Sequence, residues 1–114
     1  MSIASLALAV FIAGALQAAK TVKAESQAAQ ASTAEVKIDN FSFGPATVTV
    51  PAGSTVTWTN NDDVPHVVTS DDNKMFKSKA LDTDDHFSFT FTKPGTYNYY
   101  CAIHPKMTAK IVVQ

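Results

Sequence analysis

From Glu35 to the end of the chain, apolar and polar residues alternate with a period of two, and Gly, Pro, Asn or Asp interrupts the alternation at short intervals. A period of two sends successive side chains to opposite faces of an extended chain, so each segment can bury one face and leave the other in water. Val36 and Ile38 open the pattern, and Phe41 and Phe43 read as its continuation. Thr47-Val48-Thr49-Val50 follows, then the turn Pro51-Ala52-Gly53, then Thr55 to Thr59 up to the cluster Asn60-Asn61-Asp62-Asp63. His66 to Thr69 reads as a short strand before Asp71-Asp72-Asn73. Phe87, Phe89 and Phe91 alternate up to Lys93-Pro94-Gly95, and Thr96–Cys101 and Ala109–Val113 complete the set. Short strands at this spacing specify an all-β antiparallel sandwich or barrel. Lys74 to Leu81 has no clear period and is expected to be a loop or a single helical turn.

The segment before Glu35 has a different character. Ile3 to Leu16 is apolar and uncharged, which suits the core of an export signal, and Val22-Lys23-Ala24 offers small residues for cleavage. Residues 1–24 are therefore expected to be a secretory signal, 25–34 a flexible Ala-, Gln- and Ser-rich linker, and 35–114 the folded domain. Removing 1–24 takes away Lys20 and Lys23 and no acid, so the formal charge moves from −1 to −3. The chain has no arginine, and an acidic domain of roughly 90 residues offers no basic face for phosphate, which argues against nucleic acid as a partner. Its single cysteine cannot form an internal disulfide, and a lone thiol in an exported protein is open to oxidation unless something occupies it.

Cys101-Ala-Ile-His104-Pro-Lys-Met107 suggests the occupant. A thiolate, an imidazole and a thioether fall on one short loop, and a second imidazole, His66, lies upstream beside Pro65. Cys, two His and Met form the soft, trigonal-plus-axial donor set of an electron-transfer copper site, whereas zinc rarely takes Met and calcium or magnesium takes neither sulfur. Cys101 would bind as thiolate, His66 and His104 as neutral imidazoles, and Met107 as the weak axial donor. Taken singly, each of these residues is ordinary packing material. Together they carry a spacing that core packing has no reason to produce. Three ligands and one axial contact leave no open position for a substrate, so no enzymatic activity is expected. His86, Met75 and Trp58 have no partners at ligand spacing and read as surface, packing or docking surface, and core, respectively. The aspartates at 62, 63, 71, 72, 82, 84 and 85 read as turn and solubility residues.

These residues resemble the cupredoxins, the blue copper proteins, over about 35–114. The short Cys-x2-His-x2-Met loop, Val56-Thr57-Trp58, Pro65-His66, the run Phe89 to Tyr97 and His104-Pro105 are similar to the amicyanin branch of that family. The resemblance implies an eight-stranded Greek-key β-sandwich binding one copper through His66, Cys101, His104 and Met107. It also implies a monomeric periplasmic electron carrier, with a dehydrogenase as donor and a c-type cytochrome as acceptor. Two positions depart from the family pattern. Val67 stands where Asn commonly tethers the two ligand loops, which leaves the Val67 N–H to donate to the Cys101 sulfur. Ile103 replaces a proline often found before the second His. With Ala102 and Pro105 it surrounds His104 with uncharged residues, the expected port for electrons, and Lys106 is expected at its rim. A copper carrier or storage protein with no dedicated redox role is the alternative that the same residues allow.

Overall fold

The computed structural model describes residues 31–114. The expected signal at 1–24 and residues 25–30 of the expected linker lie outside the described residues. Eight strands follow in order: β1 (Thr33–Asp39), β2 (Ser42–Gly44), β3 (Thr47–Val50), β4 (Ser54–Asn60), β5 (Val68–Ser70), β6 (His86–Phe91), β7 (Gly95–Cys101) and β8 (Thr108–Val113). β1 starts at Thr33, ahead of the boundary expected at Glu35. The Ser32 N–H donates to Ser54 Oγ (3.0 Å) and the Ser32 carbonyl accepts from the Thr55 N–H (3.0 Å), so the pairing with β4 is already under way there.

The strands form two four-stranded sheets, ordered β2-β1-β4-β6 and β3-β8-β7-β5, which make a sandwich with no helix among the described residues. β1 runs parallel to β4 and β3 parallel to β8, while the other pairs are antiparallel. Period-two alternation tells which face a side chain takes and is silent on strand direction, so these parallel pairings had no signature in the residues. The core lies between the sheets: Val36, Ile38, Val56, Trp58 and Phe91 come from one, and Val48, Val68, Tyr99, Ile111 and Val113 from the other. Trp58 is fully buried, stacked on Phe76 (5.7 Å between ring centroids) and edge-on to Tyr99 (5.4 Å). Gly53, in the Pro51-Ala52-Gly53 turn, has φ 91°, where a side chain would be strained.

One local expectation changes. Phe41 does not continue the alternation through Phe43. Asp39 pairs with Ser42, so Asn40 and Phe41 alone connect β1 to β2, and both have positive φ (51° and 58°). A two-residue hairpin connection requires that backbone to match the twist of its strands. Phe43 is buried in the core, and Phe41 is half exposed.

Residues 74–81 form a loop, one of the two forms expected of them. The stretch pairs with the chain around β5: His66 and Leu81 exchange backbone hydrogen bonds (3.1 and 2.8 Å), and the Ser78 N–H donates to the Val68 carbonyl (2.8 Å). Phe76, Ser78 and Leu81 point inward and are buried. Asp72 organises the entry to this loop, its Oδ1 accepting from Ser70 Oγ (2.6 Å), the Lys74 N–H (2.9 Å) and the Met75 N–H (3.1 Å). These bonds, led by the one from Ser70, lower the Asp72 carboxyl from 3.8 to about 2.

A carboxylate depressed in the folded state contributes stability above its unfolded value and loses it as pH falls toward the folded one. The apo protein should therefore have a higher urea midpoint than Asp72→Asn at pH 6. That gap should narrow as pH falls from about 4 toward about 2. A gap of constant size in urea titrations at pH 6 and pH 3 would contradict this role.

Candidate metal centre

His66, Cys101 and His104 converge at one end of the sandwich, with one nitrogen or sulfur atom from each lying within 4.8 Å of the others. Cys101 is the last residue of β7 and is fully buried. The loop after it folds in tight steps. The His104 N–H donates to the Cys101 carbonyl (3.1 Å), the Met107 N–H to the His104 carbonyl (2.9 Å), and the Cys101 N–H to the Met107 carbonyl (3.1 Å). Met107 is thereby drawn into the core, while Ile103 stays half exposed. His66 arrives from the β4–β5 connection and is fully buried.

The tether left open by Val67 is made by the main chain. The Val67 N–H donates to Cys101 Sγ (3.3 Å) and the Ala102 N–H to the Val67 carbonyl (3.3 Å). The loops carrying His66 and Cys101 are thus stitched together without a side-chain amide.

Cys101 Sγ lies 3.7 Å from His66 Nδ1 and 3.6 Å from His104 Nδ1. An ion about 2.0 Å from nitrogen and about 2.3 Å from sulfur, with its ligands in a trigonal plane, needs N–S separations of about 3.7 Å. The sulfur-to-nitrogen separations match such an ion, and one thiolate with two imidazoles is the donor set that favours copper. Among the described residues no other group of three His, Cys, Asp or Glu side chains is gathered at ligand distance. His86 is exposed on β6.

Asp62 is more than a turn residue. Its Oδ2 lies 3.0 Å from His66 Nε2 and also accepts the Phe41 N–H at 3.0 Å. With Nδ1 facing the sulfur, the bond to Asp62 sets the tautomer, placing the proton on Nε2 and the lone pair on Nδ1. The Phe41 N–H first, and His66 next, hold the Asp62 carboxyl below the usual carboxylate range. Asn60 supports the same loop, its Nδ2 donating to the Val64 and Leu81 carbonyls (2.9 and 2.8 Å) and its Oδ1 accepting the Asp62 N–H (2.8 Å). In sequence Asp62 is one of four consecutive Asn and Asp residues, and nothing local separates it from its neighbours. Phe41 lies edge-on to His104 (5.1 Å) and to His66 (5.7 Å).

The family model described as "Cupredoxin-like domain" matches residues 4–113. Amicyanin-alpha of Methylorubrum extorquens is 40% identical over 112 residues, covering 95% of this chain and 93% of that protein. The amicyanin of Paracoccus denitrificans is 35% identical over 121 residues, covering 98% and 92%. Among solved structures, a purple cupredoxin from Nitrosopumilus maritimus superposes with a TM-score of 0.68 at 36% identity, covering 71% of this chain and 99% of that one.

Proposed function

This chain belongs to the cupredoxin-like family, and we propose that it carries single electrons between redox partners on one copper held by His66, Cys101, His104 and Met107. The observation that carries the assignment is the placement of Cys101 Sγ within 3.7 Å of one nitrogen on each histidine, at the separations a trigonal ion requires. Copper bound there would supply a one-electron couple whose two states tolerate one compromise geometry.

The chain supplies the support. Asp62 keeps the His66 proton away from the metal side, and the Val67 N–H steadies the thiolate. Burial of His66, Cys101 and Met107 keeps water from the centre, and the backbone bonds between the loops leave little free to rearrange when charge changes. The protein is an electron carrier and not an enzyme. Its electron donor is a dehydrogenase and its acceptor a c-type cytochrome, both in the periplasm. That part of the reading is supported by likeness to the amicyanins and by the apolar run at 3–16.

Voltammetry of the copper-loaded protein should give one reversible one-electron wave, with electron self-exchange much faster than copper release. Copper passing to an acceptor protein faster than electrons exchange would favour the carrier or storage reading instead.

Electrons enter and leave at His104. The ring is half-buried in a shallow, mostly apolar depression lined by Phe41, Ile103, Pro105, Lys106 and Met107. A transient partner needs a small, weak contact, and an apolar patch with a charge at its rim provides one. Placing a carboxylate at Ile103, half exposed in that patch, should slow reduction of a c-type cytochrome roughly tenfold, within the range association rates span at one interface. The visible spectrum should be unchanged, because Ile103 is not a ligand. Stopped-flow mixing of reduced Ile103→Asp with the cytochrome measures this, and a wild-type rate would remove the port.

A further inference from the structure

We infer that Phe41 is a positioning residue for the metal centre, clamping the His104 and His66 rings from the tip of the β1–β2 hairpin. The inference rests on the copper reading above. Three observations meet at this residue. Its backbone is in the left-handed region at φ 58°, directly after Asn40 at 51°. Two-residue hairpin turns strongly prefer Gly at that second place, because a side chain there crowds the backbone. Its ring is 50% exposed, so burial in the core does not account for a large apolar side chain at a strained position. The same residue reaches both histidines. The ring meets His104 edge-on at 5.1 Å and 89°, and His66 at 5.7 Å and 79°. The N–H donates to the Asp62 oxygen that also lies against His66 Nε2.

A strained conformation persists where surrounding contacts over-determine it, and such outliers gather at functional sites. Here the surroundings are the two imidazoles and the carboxylate behind one of them. His66 is locked by burial, whereas His104 is half-buried on a loop whose Ile103 is half exposed. The edge-on contact of Phe41 with His104 limits the room that ring has to move while its Nδ1 lies 3.6 Å from Cys101 Sγ. The hairpin tip thus does from outside what Asp62 does for His66 from inside.

The test separates positioning from mere support of the fold. Phe41→Gly removes the ring and relieves the backbone together. If Phe41 serves only the hairpin, the variant should be as stable as wild type or more so, with copper unaffected. If Phe41 positions the histidines, the apo variant should keep or raise its urea midpoint. Loss of copper from the reduced protein to a cuprous chelator, bathocuproine disulfonate, should then run about tenfold faster, in line with losing an outer contact of a metal ligand. Phe41→Tyr keeps the ring edge and should release copper at the wild-type rate. Wild-type release by Phe41→Gly would overturn the inference, as would faster release that only tracks a fall in the apo midpoint. A wild-type protein that takes up no copper would overturn the metal reading and this inference with it.

Discussion

Copper-loaded Cys101→Ser is expected to be colourless while the apo variant stays folded. The intense absorption of a copper–thiolate site is charge transfer from sulfur, and an alcohol at the same place is a poor ligand for copper. The geometry sharpens the expectation. Cys101 Sγ faces both Nδ1 atoms at 3.6–3.7 Å, and the shorter C–O bond of serine draws its oxygen back from both. The remaining donors are two imidazoles and a thioether, too few and too weak to keep copper in competition with a chelator. The fall in affinity should exceed the ten- to hundredfold typical of losing an outer-shell partner, taken as about a lower bound. The fold should tolerate the change, because the Val67 N–H that donates to the sulfur can donate to the hydroxyl. Circular dichroism of the apo protein beside the visible spectrum of the copper-loaded form reads both halves. A serine variant with undiminished colour would remove Cys101 from the centre.

Phe76→Ala, at the one buried aromatic outside the strands among the described residues, should cost about 3–5 kcal/mol. That is comparable to the whole stability of many small domains. Phe76 is 3% exposed and meets Trp58, Phe89, Phe91 and Tyr99, with ring centroids 5.1–6.2 Å apart. Those four rings come from both sheets, so the side chain plugs the sandwich from the β5–β6 loop. The Ser70 N–H donating to the Phe76 carbonyl and the paired bonds between His66 and Leu81 limit how far the loop can collapse into the void. Urea unfolding of the apo protein is the measurement of choice, because bound copper would add stability by mass action and mask the loss. Phe76→Leu should lose clearly less, since most of the volume remains. A loss under about 1 kcal/mol for Phe76→Ala would mean the loop can leave without the core noticing, contrary to the cavity expectation. The same loop pairs with the backbone of His66, so copper release should quicken in Phe76→Ala as well.

What could be read in the residues divides along a physical line. Alternation in 47–50, 55–59 and 96–101 marked strands because period two is a local property of an extended chain. Cys101, His104 and Met107 stand out as candidate ligands because a short loop must hold them close, whatever the fold around it. The Val67 N–H was expected as donor to the sulfur and takes that part. Phe41 misled because it sits two residues before Phe43, a spacing that a strand and a two-residue turn share until the pairing of Asp39 with Ser42 chooses between them. Residues 74–81 carried no period because one stretch serves several tasks at once. It bonds to the backbone of 66–70 and sends Phe76, Ser78 and Leu81 inward at uneven intervals.

The sequence by itself determined the class of fold and the clustering of a thiol, an imidazole and a thioether on one short loop. Each of these depends on residue type and on neighbours a few positions away. The tertiary structure alone decided the parallel pairings β1–β4 and β3–β8, the rotation that brings His66 Nδ1 to face Cys101 Sγ, and the choice of Asp62 among four adjacent turn residues as its partner. It also decided that an aromatic ring from a hairpin tip lies against both histidines. All of these join residues far apart in the chain. Such contacts form only when both sheets close on a shared core, and their energy belongs to the assembled packing rather than to any one segment.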